Sequence, residues 1–256
     1  MIRILAAISI LLIALGLATA QSPAAVEREI LDHLKDIAVS GTYTGEYDEA
    51  KNDKANESLK QTLIRNGKRL DILRYAFPKL KDEMFVSTSP DGKLRIYSWD
   101  LQTGGTMHDY ASIFQYQGKS GSIYAKPEDG DDERAGAFAT QIFELSSKVS
   151  PIYIANSTFI AQSNIHGQSI YVIRINGDKL ERPKLIRTQS GLQNSIDFSY
   201  EPFSVKDRSG RLVFFDAAKQ AFRFPIVIED KDFGIGRVTS RFIMYRFDGR
   251  YFVKTN

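Results

Sequence analysis

The chain has 256 residues, 43% hydrophobic, 25% charged and 11% aromatic, which is the composition of a globular rather than a disordered protein. It has no cysteine, which excludes disulfides, thiolate metal sites, a cysteine nucleophile and a lipid-modified cysteine. The net charge is +3, acidic and basic residues are interspersed along the sequence, and no long Lys/Arg stripe is present, which argues against a nucleic-acid partner.

Residues 1–20 read as a signal peptide. Arg3 supplies the basic start, Ile4 to Leu17 is a run of apolar and small residues, and Ala18-Thr19-Ala20 fits a small-x-small cleavage site. The apolar run is shorter than the roughly 20 residues that span a bilayer. No later segment is long and apolar enough to do so, so the expected mature chain is soluble, periplasmic or secreted, and starts at Gln21. At about 236 residues it is long enough to bury around 70% of its extended surface without disulfides.

Residues 21–82 read as a mainly helical N-terminal region. Ser22 is a capping residue, Pro23 suits a first turn, and Glu27 and Glu29 suit the positive end of the helix dipole. Val26, Ile30, Leu34, Ile37 and Ala38 follow at helical spacing, an apolar stripe that needs a partner; His33 falls off it, on the solvated side. A second helix is predicted from about Lys54 to Arg65, stopped by Gly67. A third short helical pattern, Leu70, Leu73 and Phe77, ends at Pro78.

From residue 83 to the C-terminus the period shifts to that of strands. Runs rich in Ile, Val, Phe and Tyr alternate with turn signals at 89–93, 117–122, 176–179, 206–211 and 247–250. Tight turns imply antiparallel pairing. The expected fold is therefore α+β: N-terminal helices followed by a large antiparallel β domain, as a sandwich, a barrel or a propeller-like array. Ile-Tyr recurs at 96, 123, 152 and 170, but its uneven intervals set no repeat. Residues 134–148 read as one interrupting helix.

The stretch Arg95 to Tyr110 holds the only tryptophan, one of three histidines and a double glycine. With Asp100 to Gly105 as its loop, Trp99 faces Thr106, Tyr97 faces His108 and Arg95 faces Tyr110. One face then carries Arg95, Tyr97, Trp99, His108 and Tyr110, continuing into Phe114 and Tyr116, and the other carries Leu94, Ile96, Met107, Ala111 and Ile113. Such an aromatic face serves either as cross-strand packing, worth a few tenths to about 1 kcal/mol per pair, or as a surface for a partner or stacked ligand. Gly104 and Gly105 either admit a close backbone or ligand, or satisfy a loop with positive φ. The sequence RIYSWD followed by TGGTMH resembles a core of exported bacterial proteins with no assigned activity, over residues 85–120. The resemblance implies an envelope protein and no particular reaction.

Catalytic motifs are missing. The QGKS at 117–120 lacks the first glycine of a P-loop, and no G-x-S-x-G or H-E-x-x-H occurs. His33, His108 and His166 sit in different elements, so neither a metal site nor a cofactor site is predicted. The acidic run Glu128 to Glu133 lacks the spacing of a calcium loop. The expected function is a binding module that uses Arg95, Tyr97, Trp99, Gly104, Gly105, His108 and Tyr110 to hold a protein or envelope glycan. A competing reading is a hydrolase of envelope polymers with His108 and Asp100 or Asp109 as acid–base groups, and a third is a purely structural envelope role.

Overall fold

Helix α1 (Pro23–Ser40) starts where the Ser22 hydroxyl accepts a hydrogen bond from the Ala25 amide at 3.3 Å. Its stripe of Val26, Ile30, Leu34 and Ile37 is buried against Leu59 and Leu63 of helix α2 (Glu49–Asn66) and against Tyr97, Trp99 and Ile113 of the first sheet. Helix α2 begins five residues earlier than expected, because the Asp48 carboxylate caps the Lys51 amide at 3.1 Å. Two charged or polar residues of α1 are not left to solvent. The Glu27 carboxylate is buried and accepts hydrogen bonds from the Lys79 amide and Tyr75 hydroxyl, at 2.7 and 3.0 Å. The His33 Nε2 lies 3.2 Å from the Thr62 hydroxyl, across the α1–α2 seam rather than in water. Helix α3 (Leu70–Arg74) stops well before Phe77, which has a φ of 50°; Pro78 disfavours helical backbone in the residue before it.

The structure is a computed structural model that describes residues 21–43, 46–128, 136–145, 150–206, 211–230 and 233–255. The predicted signal peptide lies outside the described residues, as does most of the acidic run after Glu128. None of the described helices is long and apolar enough to cross a membrane.

The described strands form three stacked sheets, which makes the β region a layered sandwich rather than a barrel or propeller. The first sheet joins β1 (Phe85–Thr88), β2 (Leu94–Asp100), β3 (Tyr110–Gln117) and β4 (Ile123–Pro127) in sequence order. The second contains β5 (Phe138–Leu145), β6 (Ile152–Gln162) and β7 (Ile165–Asn176), with the short β8 (Lys179–Glu181) on β7. Next come β9 (Ile186–Thr188) and β10 (Gly191–Gln193) of the third sheet, before β11 (Ser195–Tyr200) returns to pair with β7. β12 (Phe214–Asp216), β13 (Ala221–Asp230), β14 (Phe233–Phe247) and β15 (Phe252–Thr255) complete the third sheet. Pairing is antiparallel except between β15 and β9, which run parallel. Gly177 and Gly249 take positive φ, 61° and 100°, in the turns at 176–179 and 247–250, where a side chain would strain the backbone.

Strand alternation sends neighbouring residues to different layers. Leu94, Ile96 and Phe114 of the first sheet meet Tyr153, Ala155, Tyr171 and Ile173 of the second. The other face of the second sheet, Ile154, Ile170 and Val172, meets Phe222, Tyr245 and Phe252 of the third. The helix expected over residues 134–148 is instead strand β5, as far as that stretch is described. Ala139, Ile142 and Leu145 are buried there between layers, and a bulge between Ala139 and Gln141 re-aims the strand. Pairing with β6 outweighs local helix propensity.

Candidate functional site

The β2–β3 register differs from the one expected. Trp99 pairs with Ala111, Tyr97 with Ile113, Arg95 with Gln115, and Asp100 with Tyr110. The connection is therefore Leu101 to Asp109, longer than the anticipated loop. The shift between the two registers is odd, so every side chain of β3 moves to the other face. Arg95, Tyr97 and Trp99 do share a face, but it is the one covered by α1 and α2: they are 5%, 1% and 2% exposed. Arg95 and Tyr97 present nothing to a partner, and Trp99 only borders, from within the core, a cleft between the first and second sheets. Tyr110 and His108 stand apart from them, on the far side of the sheet with Asp100.

The buried trio is hydrogen-bonded throughout. Trp99 Nε1 donates to Asn56 Oδ1 at 2.9 Å, and the Tyr97 hydroxyl donates to Gln115 Oε1 at 2.8 Å. Arg95 donates to the Ile72 and Tyr75 carbonyls at 3.1 and 2.7 Å and to Thr88 Oγ1 at 2.8 Å, with its guanidinium over the Phe77 ring.

The loop from Leu101 to Asp109 is held from both sides. Thr42, in the turn after α1, donates its amide to the Gln102 carbonyl at 3.0 Å and its hydroxyl to the Gly104 carbonyl. The His108 amide donates to the Ile160 carbonyl of β6 at 3.1 Å. The double glycine divides in role. A Cβ on Gly104 would lie 1.9 Å from the Met107 carbonyl oxygen, whereas Gly105 faces open space. Gly104 therefore makes room for the loop's own backbone. Gly104→Ala is expected to displace the loop and separate His108 from Asp100, while Gly105→Ala leaves the loop in place; the imidazole proton shifts in NMR spectra distinguish the two.

Within that loop three polar groups converge. His108 Nδ1 lies 2.6 Å from Asp100 Oδ2 and 2.9 Å from the Tyr43 hydroxyl. Burial and the Asp100 carboxylate push the Tyr43 phenol up to about 12, so it remains protonated at neutral pH. The short contact to a carboxylate requires Nδ1 to carry the proton and donate it to Asp100. His166, opposite Ile160 on β7, is held below the usual histidine range by burial and then by His108. Asp109 is not part of this cluster; its carboxylate accepts from the Gly136 amide at 2.8 Å.

Beside the loop, the first and second sheets diverge and leave a cleft of about 750 Å³. Met107, Asp109, Tyr110 and Ser112 line its upper wall. Its floor is one face of the second sheet, with Ser157, Phe159, Ser169 and Tyr171 side by side across β6 and β7. The Phe159 ring lies over Gly167, where a Cβ would come within 1.9 Å of it. Arg182 forms an ion pair with Glu128 at the rim, and its guanidinium sits 4.6 Å from the Tyr171 ring centroid. Burial, then the Glu128 carboxylate, push the Tyr171 phenol up to about 12. Rings, hydroxyls and one charged pair thus share a cavity of the size that encloses a small ligand. The described residues contain no cluster of three or more His, Cys, Asp or Glu that could hold a metal ion.

Sequence reasoning did not single out the floor residues. Their signal is a change along the strands: Tyr153 and Ala155 give way to Ser157 and Phe159, and Ile173 and Tyr171 to Ser169 and Gly167, on the same alternating face. A packed face that turns to serine and glycine halfway along a strand marks where its covering layer ends. Comparison with known protein families, with curated proteins and with solved structures gave no match for this chain.

Proposed function

We propose that the protein is an exported binding module, periplasmic or secreted, that encloses a segment of envelope glycan in the cleft between its first and second sheets. The observation that carries this reading is the cleft floor. It sets the Ser169 hydroxyl beside the Ser157 and Tyr171 hydroxyls, which bond to each other at 3.1 Å, and the Tyr110 and Phe159 rings offer apolar faces of the kind sugars stack on. The apolar N-terminal run supports an exported setting. Envelope oligosaccharide fragments titrated into the protein should shift the emission of Trp99, which adjoins the cleft and is the sole tryptophan. Ser169→Phe fills the floor and should abolish the shift without unfolding the protein. An unaltered response in that variant would place the ligand elsewhere.

The 2.6 Å contact between His108 and Asp100 favours a second reading, hydrolysis of an envelope polymer. It is weaker, because the His108 ring turns to Tyr43 and Asp100 while its neighbours Met107, Asp109 and Tyr110 line the cleft. Release of soluble product from isolated envelope, lost in His108→Ala, would favour the hydrolase over the binding module.

A further inference from the structure

From Lys179 onward the chain carries 15 Lys and Arg against 9 Asp and Glu, a net +6, whereas residues 21–178 carry 18 against 22, a net −4. Sequence order disperses these cations, and the third sheet brings several of them onto one face. Phe222, Phe224, Tyr245 and Phe252 point into the core between the second and third sheets. Alternation therefore turns Arg223 of β13 and Arg246 of β14 to the opposite, solvent side, and the parallel β15–β9 pair brings Arg187 beside Val253, the partner of Arg246. All three are exposed.

These cations are interleaved with rings. Arg223 lies 5.3 Å from the Phe214 ring centroid and 4.8 Å from that of Phe242, and Arg187 and Arg250 flank Tyr251 at 4.8 and 5.0 Å. Among the described residues Arg223 and Arg246 form no ion pair with a carboxylate. Asp216 pairs with Lys219 at 3.3 Å, and Asp248 accepts from the Arg250 and Tyr251 amides at 2.8 and 2.7 Å. At one end a groove of about 520 Å³ runs between Ser204 and Arg241, next to Phe203, which is 80% exposed; Phe242, in the same groove, is 40% exposed.

We infer that the solvent face of the third sheet docks the protein onto an anionic lipid bilayer. Six strands spaced about 4.8 Å apart give an open face about 24 Å wide, broad enough to lie on a membrane surface. Arginines without acidic partners meet headgroup phosphates in the bidentate geometry they favour. Phe203 and Phe242 carry no polar atom on their rings, so their natural destination is the boundary of the acyl chains rather than a hydroxyl-rich polymer. The face lies on the opposite side of the second sheet from the cleft, so docking leaves the cleft accessible.

Co-sedimentation with vesicles tests this. The purified protein should bind vesicles of equal parts phosphatidylglycerol and phosphatidylcholine, should fail to bind pure phosphatidylcholine, and should release as ionic strength rises. Each arginine near the surface contributes about fivefold, so Arg223→Glu with Arg246→Glu should weaken binding by at least about 25-fold. Arg187→Glu with Arg250→Glu gives an independent second variant, away from the Phe214 and Phe242 rings. Lys35→Glu with Lys54→Glu, exposed on the helical layer, should change binding far less. All variants share one N-terminus, so differences among them report the sheet face. Phe203→Ser should lower vesicle binding while leaving retention on immobilised heparin unchanged. Equal binding by wild type and both arginine variants would overturn the inference. So would retention on heparin with no vesicle binding, which would make the face a soluble-polyanion site.

Discussion

Replacing Trp99 with alanine should cost about 3–5 kcal/mol of folding stability, the range for removing a large ring from a closed core. The side chain is 2% exposed and packs with Leu59, Leu63 and Ile113 where α1 and α2 cover the first sheet. Its indole nitrogen also holds Asn56 Oδ1 at 2.9 Å, while the Asn56 amide donates to the Leu101 carbonyl at 3.1 Å. The substitution thus opens a cavity and loosens the start of the loop that carries His108. In a chain of this size the midpoint of thermal unfolding should fall by about 6–20 °C. Native emission should be blue-shifted and resistant to quenchers, since Trp99 is the only tryptophan. Trp99→Phe keeps most of the ring volume and should recover more than half of the loss. A red-shifted emission with a loss below about 1.5 kcal/mol would mean that the helical layer does not seal the sheet as described.

Arg95→Met is the second large effect. Methionine replaces the aliphatic stem but strands the carbonyls of Ile72 and Tyr75, which the guanidinium serves at 3.1 and 2.7 Å. A buried carbonyl without a donor costs about 1–3 kcal/mol. Relief of the cation's own desolvation offsets part of that, leaving an expected loss of about 2–4 kcal/mol. Arg95→Lys should recover only part of it, because an ammonium reaches fewer of the four partners that the planar fork holds. Denaturant melts of both variants measure the effect. A Met variant as stable as wild type would show that water takes over at both carbonyls.

Much of the α+β order was legible from local chemistry. Ser22 caps α1, Gly67 ends α2 with its amide on the Leu63 carbonyl, and the turns at 176–179 and 247–250 fall where Asn-Gly and Asp-Gly stand. Caps and turns are decided within a few residues, so sequence order carries them. The stripe on α1 predicted a partner for the same reason: an apolar face must be buried against something.

Tertiary structure alone decided what each face meets. Six of the seven residues of β2 are buried, because helices cover one side of the first sheet and the second sheet covers the other. Alternation separates two faces of a strand but does not say which is wet when both are dry. Alternation alone therefore leaves the Tyr97 and Trp99 face open between packing and a partner surface; the structure buries it, and the Leu94 and Ile96 face as well. The β2–β3 register depended on a loop length set by Thr42 and Ile160, residues distant in sequence. The cleft exists only because the first two sheets diverge beyond Ala155 and Tyr171, and the arginine face only because four hairpin strands and a parallel neighbour bring Arg187, Arg223 and Arg246 together. Those juxtapositions arise from long-range pairing, whose partners sequence spacing does not encode.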